Sequence, residues 1–267
     1  MGGASTRIGT YKCYQCRKPF TVKVGTIFEA SHVAMRHWLQ AMFLIASSKK
    51  GISSNQLHRT LGVTLKTAWF MSHRIREAMR SGDLTPFGSE GGAVEADETY
   101  IGRKKDMEPG HGGARHKMKV VTLLDRDTGA TRSTVIPERM TQQKVANIVR
   151  ANVAKEAHLM TDESLLYKKV GAELASHSAV NHSRDEYVRY GDPMITTNTV
   201  EGFFSIFKRG MRGVYQHCGE QHLHRYLAEF DFRYSNRIAL GINDVARADN
   251  LLAGVVGKRL TYETASQ

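Results

Sequence analysis

Residues 94–101 read Val94-Glu95-Ala96-Asp97-Glu98-Thr99-Tyr100-Ile101, a run of strand-forming side chains broken by three carboxylates. The composition predicts a strand whose period of two sends Val94, Ala96 and Glu98 to one face and Glu95, Asp97 and Thr99 to the other. An acid in mid-strand is disfavoured by β-propensity and costly to bury without a partner. Either this face is solvated or the acids have a task.

Outward from this stretch, 118–124 and 131–136 read as two more strands, joined by Asp125-Arg126-Asp127-Thr128-Gly129, so an antiparallel meander is expected. A helix over 141–156, a strand over 158–162, a helix around 165–174, a strand at 179–182 and two long helices after Asn198 and Gly219 complete an α/β domain. The segment 102–117, rich in Gly, Lys, Arg and His, suits a mobile loop able to reach phosphates.

Two later acids stand in suggestive places. Asp162 ends the run Leu159-Met160-Thr161, the C-terminal end of a strand, where ligands of α/β sheets gather; an ordinary helix N-cap fits it as well. Glu201 opens a helix whose apolar stripe is Val200, Phe203, Phe204, Phe207 and Met211, with Glu201, Ser205, Lys208 and Arg212 on the other side. Lys208 therefore shares the face of Glu201, roughly 10 Å along the axis at 1.5 Å per residue. Asn198 and Glu201 also fit a capping box, in which the acid is purely structural. If Asp97, Asp162 and Glu201 converge, they form an all-oxygen site suited to magnesium and phosphodiester chemistry.

Towards the N-terminus, Gly and Pro mark 81–92 as a linker. Ahead of it, Met35, Trp38, Leu39, Met42 and Ile45 recur at helical spacing, with Ser31 available as a cap. A short helix ending at Gly62 and a longer one capped by Thr64 give a helix-turn-helix outline, with Lys66, His73, Arg74 and Arg76 on the second helix as candidate DNA contacts. Cys13 and Cys16 form a Cys-x-x-Cys knuckle before alternating Phe20, Val22 and Val24, which is half of a zinc ribbon.

In the 267 residues, Lys and Arg number 38 against 26 Asp and Glu, a formal charge of +12, which points to a nucleic-acid partner. No stretch approaches the roughly 18 apolar residues of a membrane span, and no signal peptide opens the chain. Three cysteines, Cys13, Cys16 and Cys218, make no disulfide framework, so a cytoplasmic protein without a membrane partner is expected.

Taken together, Val94 through Gly102, Thr197-Asn198-Thr199-Val200-Glu201 through Phe207-Lys208-Arg209-Gly210, and the tail Gly213-Val214-Tyr215-Gln216-His217, Glu220-Gln221-His222-Leu223 and Phe232-Arg233-Tyr234 resemble the DDE transposases of bacterial insertion sequences, of the family fifteen ninety-five type. The resemblance runs from about Tyr11 to Arg237. It implies a ribonuclease-H-like mixed sheet with flanking helices at 93–240, preceded by a partial zinc-ribbon remnant at 1–30 and a helix-turn-helix-like domain at 31–82, and followed by a tail at 241–267. It implies Mg²⁺ or Mn²⁺ at Asp97, Asp162 and a third position, where Asn198 and Glu201 compete; a carboxylate suits a hard cation better. Lys208, Arg209 and Arg212, with Arg103 and Lys104 of the loop, would hold phosphates of transposon-end and target DNA, and a homo-oligomer is expected on DNA. The family's ribbon has two Cys-x-x-Cys knuckles, whereas Cys13 and Cys16 supply two of the four ligands that structural Zn²⁺ needs; a start that omits the first knuckle accounts for this. Two other readings use the same residues: a non-catalytic helix-turn-helix regulator, and a ribonuclease-H-like nuclease without strand transfer.

Overall fold

The computed structural model describes residues 9–80, 82, 85–105, 107–108, 113–181, 188–189, 191–192 and 194–260. A small hairpin of β1 (Thr10–Lys12) and β2 (Pro19–Thr21) leads into three helices, α1 (Met35–Ser47), α2 (Ser54–Leu61) and α3 (Leu65–Met79). Ser53 and Thr64 cap α2 and α3 by accepting from the amides of Gln56 and Thr67, and Gly62 ends α2 in the left-handed conformation that glycine adopts without strain. Ser31 does not cap α1, which begins after Ala34; its hydroxyl instead accepts from the Trp38 indole at 3.2 Å. Trp38, Met42 and Ile45 of α1 pack with Leu57 and Leu61 of α2 and with Ala68, Met71 and Ile75 of α3.

The meander follows as β3 (Ala93–Ile101), β4 (Met118–Asp125) and β5 (Thr131–Ile136), paired antiparallel. After α4 (Gln142–Asn152), β6 (His158–Asp162) joins the free side of β3 in parallel; after α5 (Lys168–Gly171), β7 (Ser176–Val180) joins β6, also in parallel. The order β5-β4-β3-β6-β7 is the ribonuclease-H-like arrangement, with β3 at the centre. Val94, Ala96, Val121 and Leu123 on one face pack against Val145 and Val149 of α4 and against Tyr167 and Val170. Val120 and Leu124 on the other face pack against Phe203 and Phe207 of α6 (Asn198–Gly210) and Leu223, Leu227 and Phe230 of α7 (Glu220–Ser235). The apolar stripe read in the sequence is therefore the buried face of α6. Past Gly210 the helix widens into a π-helical turn, Met211–Tyr215.

The helical unit and the sheet unit meet across α3 and α7. Arg76 donates to Glu229 at 2.7 Å, Arg233 lies 3.0 Å from the same carboxylate, and the Tyr215 hydroxyl also donates to it, all with little or no exposure for the charged groups. The region 241–267, read as a tail, contains a further helix, α8 (Asp244–Ala253), capped by Asn243. Leu251 and the following Val255 sit in the core of the helical unit, and Gly257 donates its amide to Gly25 at 2.8 Å. Residues 261–267 lie outside the described part, as does the end of the strand expected at 179–182.

Candidate functional site

The parallel register of β3 and β6 brings two acids together. Ala93, Val94 and Glu95 pair with His158, Leu159 and Met160; Asp97 and Asp162 each lie two residues beyond the last pair, so they stand side by side where the strands part. Asp97, Glu98 and Asp162 each offer a carboxylate oxygen within 4.8 Å of the others. Glu98 belongs to the opposite face of the strand, and its carboxylate accepts from the hydroxyls of Tyr167 at 2.9 Å and Ser164 at 3.4 Å. Asp97 accepts from the Glu98 amide at 2.7 Å. Asp162 accepts from the Ser164 amide at 3.0 Å in a tight turn; it caps no helix, because α5 starts only at Lys168.

Burial, and then the neighbouring charge of Asp162, push the Asp97 carboxyl up to about 8. Glu98 is raised in the same order of causes. Like charges crowded into a half-buried site repel one another, and an all-oxygen donor set is what a hard divalent cation accepts, so the residues present fit a divalent metal ion.

Glu201 reaches the same neighbourhood from α6, where its charge further raises Asp97. It stands outside the tight group of three. The capping box expected between Asn198 and Glu201 does not form, because the helix is capped at Thr197 and Asn198 is its first residue. The Thr197 hydroxyl donates to the Glu201 carboxylate at 2.9 Å. The capping role passes to Glu95, fully buried on the face of Asp97, which accepts from the Val200 amide at 2.9 Å and lies 3.2 Å from Arg126 Nε. Burial raises its carboxyl, and the helix amides and Arg126 oppose that rise. Sequence reading passed over Glu95; its signal was the shared face with Asp97.

Lys208 lies over the Phe204 ring with its ammonium 6.0 Å from the centroid. Burial lowers its pKa, Asp97 pulls it back up, and Arg212 and Lys117 lower it further, so these cations gather on the site's flank. Arg209 and Arg212 are exposed. Lys66 is exposed at the start of α3. Arg74 is not placed for DNA: it is buried, and its guanidinium donates to the carbonyls of Ile27, Glu29 and Leu260. His73 and Arg76 are buried too. Of the loop cations, Arg103 pairs with Glu108 at 2.5 Å and Lys104 with Glu220 at 2.6 Å, so neither stands ready for a phosphate without giving up a carboxylate. Cys13 and Cys16 sit together on the exposed hairpin turn, where hydrogen bonds from Cys16 lower the Cys13 thiol; among the described residues no further metal-ligating side chain joins them. Two thiols do not fill a tetrahedral zinc site.

A five-stranded mixed sheet of this order, with carboxylates where the central strand and its parallel neighbour part, defines a ribonuclease-H-like protein. A model of the ISXO2-like transposase domain family matches residues 90–235, more than half of the chain, and the chain belongs to that family. It is 29% identical over 242 residues to an uncharacterized protein in the transposable element ISH50 of Halobacterium salinarum, covering 84% of this chain and 77% of that one. Among solved structures it is similar to the HTLV-2 integrase catalytic core domain in complex with magnesium, with a TM-score of 0.31 and 11% identity over 51% of this chain and 82% of that one. It is similar also to the Drosophila P element transposase in a strand transfer complex, with a TM-score of 0.31 and 11% identity over 85% of this chain and 65% of that one. At that distance the likeness reaches no individual residue. No helix among the described residues is long and apolar enough to cross a membrane.

Proposed function

We propose that this chain cuts DNA at transposon ends and joins the cut strand to target DNA, using divalent metal ions held by Asp97, Asp162 and Glu201. The observation that carries the reading is the meeting of Asp97 and Asp162 at the parting of β3 and β6, with Glu98 in the same cluster. Mg²⁺, or Mn²⁺, bound there would supply a lowered pKa for the attacking oxygen and charge stabilisation for the leaving one.

The protein's own groups do the rest. Asp97 and Asp162 are fixed by the sheet, and Glu201 is brought to them by a helix whose first turn Glu95 holds. Asn198, one turn earlier on the same helix, is the neutral alternative for the third position. Lys208 and Arg209 on α6, with Arg212 in the turn after it, would neutralise phosphates. In cutting, water adds across a P–O3′ bond and leaves a free 3′-hydroxyl and a 5′-phosphate. In joining, that hydroxyl attacks a target phosphodiester and displaces its 3′-oxygen, so the number of phosphodiester bonds is unchanged. Pairing two ends calls for two such sites, and hence a homo-oligomer on DNA.

Asp97→Ala, Asp162→Ala and Glu201→Ala are each expected to lower Mg²⁺-dependent cleavage of end-containing DNA on the order of a thousandfold or more, with DNA binding retained. Cleavage at the wild-type rate in any of the three removes that residue from the site. A strand-transfer assay on the same DNA separates a transposase from a nuclease that only cuts.

A further inference from the structure

We infer that the cleft between the first turns of α2 and α3 and the π-helical turn after α6 binds a single strand of DNA, with Trp69 stacking on a base and Lys66 holding the backbone. This deepens the proposed reaction on DNA and rests on it for the identity of the polymer.

The cleft has a volume of about 940 Å³, and Asn55, Gln56, Lys66 and Trp69 line one side while Gln216 and His217 line the other. Polar surface predominates in it. That size lies at the upper end of the roughly 300–1,000 Å³ of pockets that enclose one ligand, enough for a few nucleotides and too small for a duplex. A base can stack only when it is unpaired, and an aromatic face beside a cation is the usual platform for single strands. Trp69 is held for this role: its ring packs on His73 with centroids 4.2 Å apart and meets the His222 ring edge-on at 5.7 Å, while it also lines the cleft.

The burial of α3 makes this the accessible part of the helix. His73, Arg74 and Arg76 face inward, so α3 cannot lie along a major groove with those residues against the bases. What remains exposed is the first turn, with Leu65 and Lys66, and it faces the π-helical turn. The opposite wall is firmly seated. Gly51 has positive φ, and a Cβ there would lie 2.0 Å from the Tyr215 hydroxyl oxygen, so the absent side chain makes room for Tyr215.

The cleft also continues the metal site. Glu201 and Lys208 lie on α6, Arg212 follows in the π-helical turn, and Gln216 and His217 reach the cleft. From Glu201 to Gln216 the nearly continuous helix spans roughly 20 Å, or about six nucleotides of strand at 3.4 Å each. A strand cut at the acids would run along α6 and end its contact at Trp69.

The test uses the full chain in EDTA, so that binding is read apart from chemistry, with labelled oligo(dT) of twenty nucleotides and a random duplex of equal length as probes. Of the two tryptophans, Trp38 is 1% exposed, so a change in intrinsic fluorescence reports on Trp69. The single strand is expected to quench that fluorescence saturably. Trp69→Leu is expected to weaken oligo(dT) binding roughly 5- to 100-fold by anisotropy, and Trp69→Phe to restore most of it. Lys66→Ala should reduce the slope of log affinity against log salt by about one contact, roughly 0.7. Unquenched fluorescence on saturation, wild-type affinity in Trp69→Leu, or equal quenching by the duplex at lower concentration would each overturn the assignment. Binding is read in EDTA and cleavage in Mg²⁺, so loss of cleavage in Asp97→Ala and loss of oligo(dT) binding in Trp69→Leu are separate outcomes, and either reading can fail without the other.

Discussion

His73 is 1% exposed, and among the described residues neither of its ring nitrogens has a hydrogen-bond partner. Burial, and then the charge of Arg76, press the imidazole down to about 2 from its ordinary 6.5, with His222, Arg225 and His224 adding to the effect. The folded protein therefore holds this side chain neutral, while the unfolded chain protonates it below pH 6.5. Its contribution is complete above that pH and is lost as the pH falls towards 2, at about 1.4 kcal/mol per pH unit. Urea unfolding of wild type and His73→Leu at pH 7 and pH 5 checks this: the variant should lose about 2 kcal/mol less between the two. His73, Arg74 and Arg76 were candidate DNA contacts because they are basic residues of the second helix, and the structure buries all three. The partners that bury them come from distant segments, among them Leu260 for Arg74 and Glu229 for Arg76, which no local pattern announces. Asp97 stood out in the sequence as an acid in mid-strand, and Asp162 as an acid at the C-terminal end of a strand. Glu98 did not, since alternation alone sends it to the other face.

At the scale of the element, α6 carries Glu201 and is held to β3 through Glu95. Glu95→Ala leaves the Val200 amide and Arg126 without their carboxylate and should cost about 2–4 kcal/mol in urea unfolding, with Glu95→Gln intermediate. Two glycines of the same helix make opposite predictions. A Cβ at Gly210 would meet Phe230 Cζ at 2.5 Å and the Lys50 carbonyl oxygen at 2.6 Å, so Gly210→Ala should destabilise by about 1–3 kcal/mol. Gly202 has nothing within 4 Å of that position, and Gly202→Ala should stabilise by about 0.4–1 kcal/mol. Melting temperatures of the pair decide both. The long strands and helices were legible from their periods. The helix expected around 165–174 shrinks to Lys168–Gly171, because the chain first turns at Asp162 to Ser164. The last strand starts at Ser176, earlier than 179, because this edge strand is only half-buried and its Ser176-His177-Ser178 carries no apolar signal.

Across the whole molecule, a buried carboxylate joins the helical unit to the sheet unit. Glu229 ties α3 to α7 and to the π-helical turn through Arg76, Arg233 and Tyr215. Removing one member of a buried charge network strands the others, so Glu229→Ala should cost about 3–5 kcal/mol. Calorimetry should then show the single transition of the wild type broadening or dividing into two, as the helical and sheet units uncouple. Another tie runs through α8, whose Leu251, with the nearby Val255, completes the core begun by α1, α2 and α3. Translation makes those three helices first, and α8 begins at Asp244, 165 residues after α3 ends at Met79. The helical unit is thus among the first parts to leave the ribosome and among the last to become whole. A chain broken off in mid-gene would carry the helices of that unit without the residues that close their core.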